Sequence, residues 1–150
     1  MEPRIPTPTN DREPAAVLLA DNDRSVGDLL ADMLACVGVA VSRAFDGIAA
    51  REMARAPEVR VLVCDLDMPG ASGLDVIGSL ADLSRPPAVV VISGYVDGDV
   101  SQRLRQLPFV RTVLRKPFDM VEFANRVRAL LAEARSAALG SETARDPASG

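Results

Sequence analysis

Two aspartates one residue apart, Asp65 and Asp67, close the apolar run in VLVCDLDMPGASG, between Val61 and Gly73. Three other points place oxygen or ammonium groups at the end of an apolar run: Asp21, Asn22 and Asp23 after Val17–Ala20, Ser93 ending AVVVIS, and Lys116 after Val110–Leu114. The chain contains no histidine, which excludes His-based triads and the usual transition-metal sites. Carboxylate and amide oxygens without imidazole or paired thiols form a hard-oxygen site, suited to Mg²⁺ rather than zinc. Mg²⁺ commonly shares its positions with phosphate oxygens, and a lysine with a hydroxyl could hold the phosphoryl charge. The chemistry these residue types allow together is phosphoryl transfer to or from a carboxylate. The stretch by itself does not distinguish Asp65 from Asp67.

Taken singly, each group has a plainer role. Asp21 or Asp23 reads as a helix cap, Ser93 as a strand-end turn residue, and Lys116 before Pro117 as a surface lysine in a turn. Their common placement just after strand-like runs is what raises them above these roles.

The elements that must position them follow from the hydrophobic periods. Strands are predicted at Val17–Ala20, Val39–Ala44, Val59–Cys64, Ala88–Ser93 and Val110–Leu114. Between them, Val26, Leu29, Leu30, Met33, Leu34 and Val37 recur at helical spacing. Ser25 with Asp28 resembles a capping box, and Gly38 is placed to stop that helix. Asp46–Ala56, Leu74–Ala81, Val100–Leu107 and Met120–Ala134 read as four further helices. Strands that are nearly all apolar, alternating with helices, imply an α/β fold with a doubly wound, five-stranded parallel sheet covered on both faces. Ligands of such sheets bind beyond the carboxyl ends of the strands, where the order reverses. That edge holds the oxygen and ammonium groups.

Length and composition agree with this architecture. The chain of 150 residues suits one domain, and 48% hydrophobic with 25% charged residues is ordinary for a globular protein. No apolar stretch approaches the roughly 20 residues of a membrane span. The Pro-rich residues 1–14 are expected to be a flexible leader without signal-peptide character, residues 15–139 the folded domain, and 140–150 a disordered polar tail. A cytoplasmic location is expected. Cys36 and Cys64 form no CxxC pair and are expected to be buried small hydrophobes. The net charge of −4 opposes nonspecific nucleic-acid binding, yet residues 101–135 hold eight basic residues against three acidic ones. That segment is a solvated face or a docking surface for a protein partner.

The succession VLLADND, VLVCDLDMPGASG, VVVISGY and VLRKPF resembles the receiver (response regulator) domain of two-component signalling over about residues 15–135. The resemblance implies a flavodoxin-like sheet of strand order 2-1-3-4-5. It makes Asp65 the phosphoacceptor, with Asp21 and Asn22 near Mg²⁺ and Asp67 contributing its backbone carbonyl to the metal. Ser93 becomes the hydroxyl on the phosphoryl oxygen, and Lys116 the family's lysine, followed at Pro117 by a peptide bond that is usually cis. The donor implied is a sensor histidine kinase or a histidine phosphotransfer protein. Signalling or relay would proceed by docking, not by turnover as an enzyme, since the final helix is followed here only by polar residues.

Two positions depart from the family pattern. Asn22 stands where a second acid is common, and Val113 where an aromatic switch residue is usual. Tyr95, two residues after Ser93, is the alternative for signal transmission. A rival reading takes DxD as the nucleophile and general acid of a haloacid-dehalogenase-like phosphatase. Against it, the acids here precede that strand and no late acidic pair follows Lys116. A third reading keeps the fold as a scaffold that is not phosphorylated.

Overall fold

The computed structural model describes residues 15–66, 72–94 and 97–149, with 138–149 as backbone only. Asp67 and Tyr95 therefore lie outside the described residues. Five strands, Val17–Ala20 (β1), Val41–Ala44 (β2), Val61–Asp65 (β3), Ala88–Ser93 (β4) and Val110–Arg115 (β5), form one sheet. Every pairing is parallel and the order is β2-β1-β3-β4-β5. The helices are Arg24–Cys36 (α1), Gly47–Met53 (α2), Gly73–Gly78 (α3), Gly98–Arg105 (α4) and Met120–Ser149 (α5), with a 3-10 turn at Ser79–Asp82. The sheet is thus the one the sequence implies. The order reverses between β1 and β3, which places the crevice beside Asp21 and Asp65.

Side chains alternate across a strand, so each strand feeds two cores. Leu18, Ala20, Leu62, Cys64, Val89 and Val91 pack with Val76, Ile77 and Leu80 of the α3 region and Leu104 of α4. Val17, Leu19, Val61, Val63, Val90 and Ile92 pack with Leu30 and Leu34 of α1 and Phe123 and Val127 of α5. All these side chains are buried, which is why β1, β3 and β4 read as unbroken apolar runs. β5 is an edge strand and alternates half-buried with exposed residues.

Several boundaries differ from expectation for local reasons. Asp23, not Ser25, caps α1: its carboxylate accepts the Val26 N–H at 3.1 Å. At the other end of α1, Gly38 has φ of +81°, a left-handed turn that glycine adopts without strain. Val39 N–H bonds back to Leu34 O at 2.9 Å, so Val39 belongs to this turn and β2 begins at Val41. Val59 is likewise taken by a turn, its N–H bonded to Ala56 O. Leu29 is 49% exposed and Cys36 is also exposed, whereas Cys64 is buried. The helix of α5 runs on to Ser149, through the segment that the sequence reads as a polar tail. No helix among the described residues is long and apolar enough to cross a membrane.

Candidate functional site

Asp65 ends β3 and Ser93 ends β4, while Asp21 follows β1 directly and Lys116 follows β5. Parallel pairing in register brings all four to one edge: Ala20 pairs with Cys64, Asp65 with Ile92, and Ser93 with Arg115. Asp21, Asp65 and Ser93 are 1%, 2% and 1% exposed, so the edge is a recess and not a surface patch. Lys116 reaches into it from β5. Its Nζ donates to Asp65 Oδ2 at 3.0 Å across 51 residues of sequence. Its backbone N–H donates to Ser93 O at 2.9 Å, which ties the lysine to the end of β4. The Lys116–Pro117 peptide bond is cis.

Asp21 is held from two sides, its backbone N–H donating to Ala44 O and its Oδ1 accepting the Asp23 N–H at 2.8 Å. Its Oδ2 is buried with no hydrogen-bond partner among the described residues. Burial raises its pKa above the ordinary carboxylate value, the Asp23 N–H opposes this, and the Asp65 carboxylate adds to the rise. Two acids in one dry recess disfavour each other's charge, and one lysine serves only part of that charge. A hard cation fits this donor set: an orphaned carboxylate oxygen on Asp21 beside the Asp65 carboxylate, with no imidazole. Among the described residues no three acidic, Cys or His side chains are gathered as a complete metal cluster. Burial and the two neighbouring carboxylates hold the Cys64 thiol well above its ordinary pKa, which disfavours the thiolate there.

The remaining candidates lie apart. Asn22 is exposed beside Asp21. Val113 is 42% exposed on the outer side of β5, paired with Val91, and lines a groove with Leu104 and Arg105 of α4. The basic stretch 101–135 does not form one surface. Lys116 turns into the recess, Arg111 pairs with Glu133 at 2.8 Å, and Arg103, Arg126 and Arg128 are exposed on α4 and α5.

One residue important to the site was not singled out from the sequence. A Cβ on Gly73 would stand 2.4 Å from Asp65 O and 2.5 Å from Leu66 Cα. Glycine at the start of α3 therefore lets that helix sit directly against the backbone bearing Asp65, with Gly73 N–H donating to Leu66 O at 3.1 Å. A glycine immediately after the Ser72 cap of α3 was the available signal.

Residues 17–128 match the family described as response regulator receiver domain. Among relatives, the transcriptional regulatory protein CutR of Streptomyces coelicolor is 34% identical over 76% of this chain and 52% of its own. The response regulator MprA of Mycobacterium ulcerans is 34% identical over 77% of this chain and 49% of its own. The chain thus spans about half the length of the curated relatives it matches. A CheY-like receiver domain protein from Methanospirillum hungatei superposes with a TM-score of 0.73 at 15% identity, covering 83% of this chain and 98% of that one. Receiver domains of response regulators generally bind Mg²⁺ and are phosphorylated by histidine kinases. With the sheet order, the recessed acids at its carboxyl edge and a family match over most of its length, this chain belongs to the response regulator receiver domains.

Proposed function

We propose that Asp65 accepts a phosphoryl group from the phosphohistidine of a sensor histidine kinase or histidine phosphotransfer protein, and that the modified domain signals by docking to proteins. The observation that carries this reading is the Lys116 Nζ contact to Asp65 Oδ2 at 3.0 Å inside a recess that also holds Asp21. An Asp65 oxygen attacks the phosphorus and the phosphorus–nitrogen bond breaks. Its electron pair stays on the leaving imidazole of the donor, which this histidine-free chain cannot supply itself.

Lys116 and the Ser93 hydroxyl hold the transferred phosphoryl oxygens, the lysine exchanging its contact with the carboxylate for one with the new charge. Mg²⁺, when bound, neutralises phosphoryl charge. Asp21 and Asp65 would hold it, together with Asn22 and the Asp67 carbonyl. Phosphorylation adds about −1.5 to −2 charges to the recess. Movement of Lys116 then biases the ends of β4 and β5 between two arrangements. The exposed arginines of α4 and α5 and the groove beside Val113 are the surface offered to a downstream protein, with Tyr95 the residue proposed to respond in place of an aromatic at Val113. Function in the cytoplasm, by contact with proteins and not by substrate turnover, is part of the same proposal.

The test is incubation with Mg²⁺ and a small acyl phosphate or phosphoramidate, read by intact mass. A single Mg²⁺-dependent phosphate addition at Asp65 is expected. Multiple turnover of phosphomonoesters would replace this reading with a phosphatase, and no reaction with either reagent would leave a scaffold.

A further inference from the structure

A second recess lies at the opposite edge of the sheet. It is an open cleft of about 1010 Å³ between the segment after α2, the Leu83–Pro87 connection, the entry to β5 and the middle of α5. Four arginines line it: Arg55, Arg60, Arg85 and Arg111. Two of them are engaged within the chain. Arg55 holds both oxygens of Asp82 at 3.1 Å, and Arg111 pairs with Glu133, the one carboxylate in the lining. Arg60 and Arg85 make no side-chain hydrogen bond or ion pair to any described residue.

Both free guanidinium groups stand on fixed backbone. Arg60 N–H donates to Ala16 O at 2.7 Å and its carbonyl accepts from Ala88 N–H at 2.9 Å, so this residue is pinned between β1 and β4. Arg85 precedes Pro86 and Pro87, which restrict the backbone around it. The walls between the arginines are apolar, supplied by Pro57, Pro87, Phe109 and Leu130 among others. A small inorganic anion would use the arginines and leave these walls wet. A purely apolar ligand would strip water from two unpaired guanidinium groups. The volume lies at the upper end of the roughly 300–1,000 Å³ typical of small-molecule sites, which favours a length of chain. Uncompensated positive charge in a protein of net charge −4 sets the sign of that chain.

We propose that this cleft docks an acidic peptide segment of a partner protein, with glutamate or aspartate carboxylates on Arg60 and Arg85 and interspersed apolar side chains against the proline and phenylalanine walls. The restricted backbone at both arginines lowers the ordering cost of binding, and bidentate carboxylate contacts supply orientation. The site is separated from Asp65 by the length of β3, about 16 Å for the five residues from Arg60 to Asp65.

The test uses the full chain and a fluorescein-labelled peptide of glutamate pairs separated by leucine and proline, followed by anisotropy. Saturable binding is expected, weakened about tenfold in the R60Q/R85Q double variant. The R24Q/R51Q variant removes the same charge from exposed residues of α1 and α2 outside the cleft lining and is expected to bind within about twofold of the parent. In the unsubstituted chain, amide shifts are expected at Val59–Val61 and Leu83–Ala88 and not at Asp65. Absence of saturable binding, equal loss in the two double variants, or shifts confined to the Asp65 edge would overturn the proposal. So would undiminished binding of the same peptide with glutamine for glutamate, or stronger binding of inorganic tripolyphosphate in the cleft.

Discussion

The two edges of this sheet are made by the same five strands and carry opposite chemistry. At the carboxyl edge, Asp21, Asp65 and Ser93 are almost wholly buried, and the acids depend on Lys116, which arrives from the last strand. At the amino edge, arginines stand on the rim of an open cleft, and the two pairs formed there, Arg55–Asp82 and Arg111–Glu133, are solvent-exposed. Charge in a dry recess is costly unless satisfied, whereas charge in water is nearly neutral in energy. The carboxyl edge should therefore be intolerant and reactive, and the amino edge tolerant and adhesive.

The comparison breaks first, if it breaks, at Asp65. Asp65→Asn should lower Mg²⁺-dependent phosphate incorporation by more than about 100-fold, while Asp67→Asn leaves much of it, both read by intact mass. Equal losses would mean that the two aspartates act as a pair. Gly73→Ala comes next, because its methyl group would meet the backbone of Asp65 and Leu66, atoms that cannot swing aside. Urea unfolding should show a loss of about 2–3 kcal/mol.

Asp21→Asn probes the cost of the second acid. Since the folded pKa of Asp21 is raised above its ordinary value of 3.8, the folded state binds the proton more tightly than the unfolded chain. Its contribution is most favourable below that ordinary value and is lost as pH rises through the raised one. In Mg²⁺-free buffer Asp21→Asn should therefore gain on the parent as pH rises from about 3.5 to about 7. The check is urea unfolding at both pH values, and a variant that loses ground at pH 7 would contradict the raised pKa. The smallest effect belongs to the amino edge: Arg85→Gln should stay within about 0.5 kcal/mol in the same assay. A larger loss there would show that the cleft is structural.

Much of this was legible along the chain. The strand that became β4 was bounded correctly because AVVVIS is β-branched and lies between prolines and a Gly-containing loop. Every described acid or lysine of the recess was placed at its strand end for the same reason. The errors fell where short-range hydrogen bonds compete. Ser25 and Asp28 have the composition of a capping box, yet Asp23 reaches Val26 N–H first. Val39 has strand-like chemistry, yet the turn around Gly38 takes its N–H. Gly73 went unremarked because a glycine after a helix cap looks unexceptional until its neighbour in space is known.

By itself the sequence determined the alternation of strand and helix, the parallel sheet and the set of groups gathered at its carboxyl edge. Periodicity and strand-end chemistry are local properties, and a parallel sheet leaves one end for such groups to meet. Only the tertiary structure decided that Lys116 bonds Asp65 and that one oxygen of Asp21 is left buried without a partner among the described residues. It also decided that Gly73 closes against the backbone of Asp65, and that four arginines from three separate segments share one cleft. Those relations join residues from eight to more than fifty positions apart, and strand register and helix packing set them.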